Sequence, residues 1–350
     1  MPIWEEHVSL RPYNTFGLDV RARYFARFTS VDELRELLAR PETQAGPRLI
    51  LGGGSNLLLT RDFDGVVLKN EIKELTISAE NPAAHTARLR AGAGESWHGL
   101  VEFALSQELS GLENLSLIPG TVGAAPLQNI GAYGAELRDT FARLEAVEIS
   151  SGALREFDRE ACGFGYRKSV FKGPLRNQFV VTAVEFDLHR VSAGRPANVG
   201  YGALRDTLAE LGYSPDAPTP RQVSEAVVRV RRSKLPDPAD IGNAGSFFKN
   251  PEIPVAQFEE LKARFPDLPG YPAPAGRVKV PAGWLIEQAG FKGQRRGAGA
   301  GTHGIHARQA LVLVNHGGAT GAELWALAEE IIRVVGERFG VELRPEVNIL

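Results

Sequence analysis

The chain has 350 residues, enough for two domains with a core each, and its 40 basic against 42 acidic residues leave a net charge of −2. So balanced a surface offers no broad field for nucleic acid or an anionic membrane, and without a run of 18 apolar residues nothing is expected to span a bilayer. A single cysteine, Cys162, excludes an intramolecular disulfide and, with an acidic N-terminus that lacks an apolar run, points to a cytoplasmic protein. In chain order, Ser30 is expected to cap a helix over 30–38, with Glu33 completing a capping box. A short apolar strand over 48–51 runs into Gly52, Gly53, Gly54, Ser55 and Asn56. Strands are expected over 65–69, 75–79 and 87–91, then a helix over 97–108. Residues 111–133 are punctuated by Gly and Pro yet too apolar for a solvated linker, and a loop that long usually has a function.

Alternating strands follow over 144–149 and 178–188. Composition shifts at 190–196, the candidate domain boundary. Beyond it come an amphipathic helix with a basic end (221–232), short helices (257–265 and 282–289), a buried strand (310–315), a long helix (324–339) and a terminal strand (341–349). Segregated runs of strands favour α+β over a doubly wound sheet.

Four stretches carry chemistry. Successive glycines at 52–54 expose backbone N–H groups that can form a nest for a pyrophosphate, although a glycine triplet is more often a plain turn. Residues 118–134 include Pro119, Gly120, Thr121, Gly123, Ala124, Gln128, Asn129 and Gly131. The small residues would let main chain lie against a flat ring system, with the two amides offering hydrogen bonds. In the third, Cys162-Gly163-Phe164-Gly165-Tyr166-Arg167, the arginine among aromatics and glycines fits a partly buried fork for a carboxylate, while Cys162 reads as a small buried apolar residue. The fourth is Gly242-Asn243-Ala244-Gly245-Ser246-Phe247-Phe248-Lys249-Asn250-Pro251, where small residues admit a ligand, phenylalanines exclude water and nearby cations suit an anion. Near the end, Glu346 lies in an otherwise apolar run and is expected to point inward. Gly299-Ala300-Gly301-Thr302-His303-Gly304 matches the dinucleotide spacing but precedes a strand, so it is not read as a Rossmann site. His303 and His306 lack a carboxylate or cysteine partner, and no metal site is expected.

Together with Asn14-Thr15-Phe16-Gly17, these stretches resemble the UDP-N-acetylenolpyruvoylglucosamine reductase family, in order over nearly the whole chain. The resemblance implies an α+β protein with a vanillyl-alcohol-oxidase-type (PCMH-like) FAD-binding domain plus a smaller α+β substrate-binding domain. The FAD region would be 1–190, in two subdomains of about 1–68 and 69–190. The substrate domain would be 200–340, and 341–350 a strand returning Glu346 to the active site. It further implies non-covalent FAD, NADPH as co-substrate and an enolpyruvyl UDP-N-acetylglucosamine substrate, in a monomer with no nucleic-acid or membrane partner. Hydride from flavin N5 would add to the alkene carbon distal to the carboxylate, Arg167 would stabilise the resulting enediolate, as would Glu346 if protonated or otherwise hydrogen-bonding, and Ser246 would deliver the proton, replenished by water or Lys234. Gly52, Gly53, Gly54, Ser55, Asn56 and the small residues and amides of 118–134 would hold the flavin. Tyr133, Tyr201, Arg231, Lys234, Asn250, Tyr271, Lys292 and Gln309 would contact the UDP-sugar. Asn198-Val199-Gly200-Tyr201-Gly202 resembles the substrate-closing tyrosine segment of the family's longer type, with the two glycines as hinges. The rival readings are an oxidase of the same flavin fold and a non-catalytic UDP-sugar module. The first would favour a histidine or cysteine tether, absent from the glycine loops, and the second leaves Arg167, Ser246 and Glu346 without a purpose.

Overall fold

The computed structural model describes residues 2–350, which fall into two compact units. The first comprises the N-terminal residues to Val8, Ala22–Gly53 and Asp64–Ser233. Its smaller sheet runs in the order Trp4–Ser9, Arg21–Phe28, Phe63–Asn70, Arg48–Leu51, the last two strands parallel, and packs Phe28, Val66 and Leu68 against the helix Val31–Leu38. Ser30 caps that helix by accepting from Glu33 N, as expected, but Glu33 reaches back to Thr29 N and Oγ1 instead of Ser30 N. The capping box is therefore displaced by one residue.

The larger sheet is antiparallel, in the order Leu154–Asp158, Phe141–Glu148, Phe179–Arg190, Thr86–Gly92, Leu75–Asn81, with Leu109–Ser110 pairing the end of the long strand. Apolar side chains of the strands at 86–92, 141–148 and 179–190 bury against the helix Trp97–Ser106, whose Trp97 meets Phe186 edge-on. That helix stops short of the expected 108 because Glu108 turns left-handed at φ 56°. Residues 202–233, expected to lie with the C-terminal substrate domain, cluster with this first unit. They form the helices Gly202–Glu210 and Pro220–Lys234, joined by a small core of Leu204, Leu208, Val223 and Val227.

The second unit comprises Ser9–Arg21, Gly54–Phe63 and Lys234–Leu350. An antiparallel sheet in the order Gly242–Asn243, Leu313–Asn315, His303–Ile305, Arg295–Arg296 is accompanied by a three-stranded sheet over 252–279 and the helices Val255–Arg264, Ala282–Gln288 and Gly321–Phe339. Phe247, Phe248, Leu285, Leu313, Leu324 and Ile331 lie at the centre of its core. Two expected strands are shorter than the sequence suggested. The 310–315 run is strand only at Leu313–Asn315, because Val312 N–H closes a turn onto Gln309 O. The 341–349 run is strand only at Asn348–Ile349, since Pro345, with no N–H to give a ladder, makes an isolated bridge to Phe248.

Candidate functional site

In the first unit the two glycine-bearing stretches meet backbone to backbone. A Cβ on Gly53 would stand 2.7 Å from Gly120 Cα, so the approach requires glycine. Beyond the contact, Ser96 bridges Thr121, Trp97 N–H donates to Gly120 O at 3.0 Å, and Val122 and Gly123 donate to Glu95 O and Ala93 O. The 118–124 segment is thereby bolted to the start of the helix Trp97–Ser106, with Gly53 and Pro119 exposed at the surface. What these loops offer a ligand is main chain and small side chains, which suits a pyrophosphate and a flat ring. Behind them Lys69 Nζ donates to Gly52 O at 2.8 Å, its pKa lowered by burial. Reading the sequence did not single out Lys69, although a lysine in the apolar run Val66-Val67-Leu68-Lys69 was a usable signal.

The amides at 128–129 have partners within the protein. Asn129 is fully buried at φ 43°, and its side chain is engaged within the protein: Nδ2 donates to Glu136 Oε2 and Gly165 O, and Oδ1 accepts from Arg138 N. It shapes the turn that Arg167 grips, Nη2 donating to Gly131 O at 2.6 Å. Gln128 Oε1 accepts from Lys172 Nζ at 2.9 Å. Arg167 itself is half-buried, at φ 51°, with its guanidinium over the Tyr166 ring. Cys162 is buried, as expected.

A third cluster gathers Tyr133, Tyr201 and Arg231. The two tyrosine rings meet edge to face, centroids 5.2 Å apart, and Tyr201 is 48% exposed. Burial raises the Tyr133 phenol and lowers the Arg231 guanidinium, which donates from Nε to Leu117 O. Gly202, expected as a hinge, is the first residue of the helix Gly202–Glu210, with Tyr201 at its N-cap.

In the second unit the remaining motifs converge. Gly242 has no room for a Cβ, which would stand 2.3 Å from Phe16 O, and Asn243 N and Asn315 Nδ2 donate to Thr15 O and Phe16 O. The 14–17 motif therefore underlies the 242–251 motif. Asn243 also shapes the approach to Ser246, its Oδ1 accepting from Gly245 N and its Nδ2 donating to Ile241 O. Ser246 is exposed, between Gly245 and the buried Phe247. The C-terminal segment runs antiparallel alongside: Glu346 N donates to Phe247 O at 2.8 Å and Lys249 N to Arg344 O at 3.0 Å. Glu346 is half-buried, and Asn56 Nδ2 donates to its carbonyl. Of the other residues, Asn250 Oδ1 accepts from Ala282 N at the start of the helix Ala282–Gln288, and Gln309 Oε1 accepts from Leu311 N. Lys292 pairs with Glu287 at 2.8 Å, and Lys234 and Tyr271 are exposed.

Comparison with known proteins bears on both units. Residues 237–350 match the family model described as UDP-N-acetylenolpyruvoylglucosamine reductase, C-terminal domain, and residues 22–158 match that of an FAD binding domain. A UDP-N-acetylenolpyruvoylglucosamine reductase of Pseudomonas aeruginosa is 51% identical over 345 residues, 99% of this chain and 98% of its own. One of Paraburkholderia xenovorans is 52% identical over 337 residues, 96% and 95% of the two chains. The crystal structure of UDP-N-acetylenolpyruvylglucosamine reductase from Thermus caldophilus matches with a TM-score of 0.67 at 25% identity, covering 100% of this chain and 99% of that one. A solvent-stable cholesterol oxidase, 13% identical with a TM-score of 0.50 over 99% of this chain and 87% of its own, shares the fold alone.

Proposed function

The chain belongs to the UDP-N-acetylenolpyruvoylglucosamine reductase family, and from that premise we infer how its own residues carry the reaction. It is an oxidoreductase that uses FAD to reduce UDP-N-acetylenolpyruvoylglucosamine to UDP-N-acetylmuramate in peptidoglycan precursor synthesis, and its flavin-binding part has the vanillyl-alcohol-oxidase-type fold. When bound, FAD supplies the hydride that saturates the enolpyruvyl double bond. Gly52, Gly53 and the 119–124 segment fit it as a main-chain cradle, tightened by the Gly53–Gly120 approach and backed by the Lys69 ammonium. In our reading NADPH is the reductant, as a co-substrate of the same enzyme.

The chain's side chains then handle charge and proton. Arg167, steadied by its bond to Gly131 O, holds the substrate carboxylate and offsets the charge that builds there as the double bond is saturated. Ser246 gives its hydroxyl proton to the carbon beside that carboxylate, and Glu346 supports the same developing charge only through a hydrogen bond that it donates. The observation that carries this assignment is the Glu346 N–H to Phe247 O hydrogen bond, which sets Glu346 across from the residue following Ser246. Lys234, Asn250, Tyr271, Lys292 and Gln309 in one unit, and Tyr133, Tyr201 and Arg231 in the other, are assigned to the UDP-sugar. For Asn250, Gln309 and Lys292, any such contact is made by side chains already tied to Ala282, Leu311 and Glu287.

Ser246→Ala tests the reading. Its task arises only after hydride has reached the substrate, so reduction of the bound flavin by NADPH should proceed at close to the wild-type rate. Re-oxidation by the enolpyruvyl substrate should slow by about 10² to 10⁴-fold, the usual worth of a general acid. Stopped-flow absorbance resolves both halves. Equal slowing of the two would remove Ser246 from proton transfer.

A further inference from the structure

We infer that Asn114 is a positioning residue that holds Tyr201 in place for the UDP-sugar, an inference that rests on the reading of Tyr201 as a substrate contact. Asn114 is 3% exposed, on the short turn Glu113–Leu115. Its Nδ2 donates twice, to Tyr133 O at 2.9 Å and to Asn198 O at 2.8 Å. One carboxamide therefore fastens together two stretches that are 65 residues apart in sequence, each carrying one member of the tyrosine pair or leading directly to it. A primary amide does this because its two N–H groups diverge from one nitrogen and carry no charge into a buried site.

The tie continues outward. Asn198 Nδ2 donates to Gly134 O at 3.0 Å, and its Oδ1 accepts from Gly200 N at 3.3 Å. The segment leading to Tyr201 is thus held at 198 and at 200 against the 133–134 turn, whose own tyrosine, at φ 48°, presents its ring edge-on to Tyr201. Residues 194–200 have no helix or strand of their own to order them, so these side-chain bonds set their path. The base is firm as well. Ser116 Oγ lies 2.7 Å from Ser224 Oγ in a buried contact, and Arg231 Nε donates to Leu117 O, which ties the 113–117 loop at two points to the helix Pro220–Lys234. Loop, turn and helix make one frame, and Asn114 is the member that passes it on to the Tyr201 segment.

The test is a double-mutant cycle. Asn114→Ala and Asn198→Ala are each made in the wild type and in Tyr201→Ala, and affinity for UDP-N-acetylenolpyruvoylglucosamine is measured by calorimetry alongside KM and kcat. Asn198 is exposed, so its variant folds even where Asn114→Ala does not, and it cuts the same tie one step further on. Each substitution should weaken UDP-sugar binding about tenfold, as expected for one or two lost hydrogen bonds at about 1 kcal/mol each. KM should rise with it, kcat should change by less than about threefold, and neither substitution should weaken binding further once Tyr201 is alanine. If Tyr201→Ala weakens binding but the losses add in full, Asn114 does not act through Tyr201 and the inference falls while the substrate reading of Tyr201 stands. If Tyr201→Ala binds like wild type, the reading of Tyr201 falls and takes the inference with it.

Discussion

Burial decides the chemistry of Cys162. Desolvation, aided by the nearby Asp158 carboxylate, pushes its thiol up to about 12, so the nucleophilic thiolate is scarce at neutral pH. At pH 8 the folded protein should therefore resist an aromatic disulfide reagent, and in guanidinium it should yield one thiol per chain. Rapid labelling of the native protein would contradict the buried, protonated thiol. The same residue shows what could be read in advance: a lone cysteine among Phe, Gly and Tyr is recognisable as a packed apolar group. Ser246 and Glu346 stand out as candidates, each within a local run whose composition is unusual. Lys69 stood out only as a charge in an apolar run, with nothing to name Gly52 O as its partner, and Asn114 not at all, because Tyr133 O and Asn198 O are main-chain atoms far along the chain and no local pattern encodes a distant carbonyl. The partners of Asn129 were hidden for a related reason: an amide in a glycine-rich loop offers hydrogen bonds, but sequence does not say that its side chain engages Glu136, Gly165 and Arg138.

At the scale of elements, the alternating strands were the most legible part, and they carry a charge ladder that was not foreseen. Arg90 forks onto Glu145 and reaches Glu74 and Glu185, while Arg143 forks onto Glu185 and reaches Glu156. Register explains it: Arg90 and Arg143 both stand opposite Glu185 on the strand between them. The Glu185 side chain is only 4% exposed. Burial alone would raise its pKa, but the Arg143 and Arg90 bonds outweigh that and hold it below the ordinary 4.5. Replacing Arg90 by Met leaves the buried Glu185 and the partly buried Glu145 and Glu74 without their shared cation and should cost about 3 kcal/mol, the lower end for breaking a buried pair. A depressed carboxylate contributes its stability above its unfolded pKa and loses it as pH falls through the folded value. The gap between wild type and Arg90→Met should therefore be full at pH 7 and narrow below about pH 4.5. Urea titrations at pH 7 and pH 3.5 measure it, and a gap that widens on acidification would refute the ladder. Strand ends were less legible than strand centres, because they depend on single groups such as the missing N–H of Pro345 and the turn closed by Gln309 O.

Taken whole, the chain is two units; one family model covers 22–158, largely in the first, and the other covers 237–350, in the second. The order of the motifs made the family legible; the path of the chain did not follow from it. Residues 9–21 and 54–63 leave the first unit to join the second, an exchange that no composition shift announces. The assignment of FAD to main-chain loops has a consequence for how the cofactor is held. The 52–53 and 118–124 segments contain no cysteine or histidine, so neither loop carries a residue that tethers a flavin. Cys162 is buried and protonated, and the Nδ1 lone pair of His98, beside the second loop, is occupied, accepting from Leu117 N–H. A covalent bond to either would need a nucleophile that this arrangement withholds. FAD should therefore come away entirely into the supernatant when the yellow protein is precipitated with acid. The flavin-free chain, refolded and titrated with FAD, should regain stability by RT ln(1 + [FAD]/Kd), about 2.7 kcal/mol at a hundredfold excess over Kd. Flavin retained in the acid pellet would mean a tether, and the reading of these loops as a purely non-covalent cradle would be wrong.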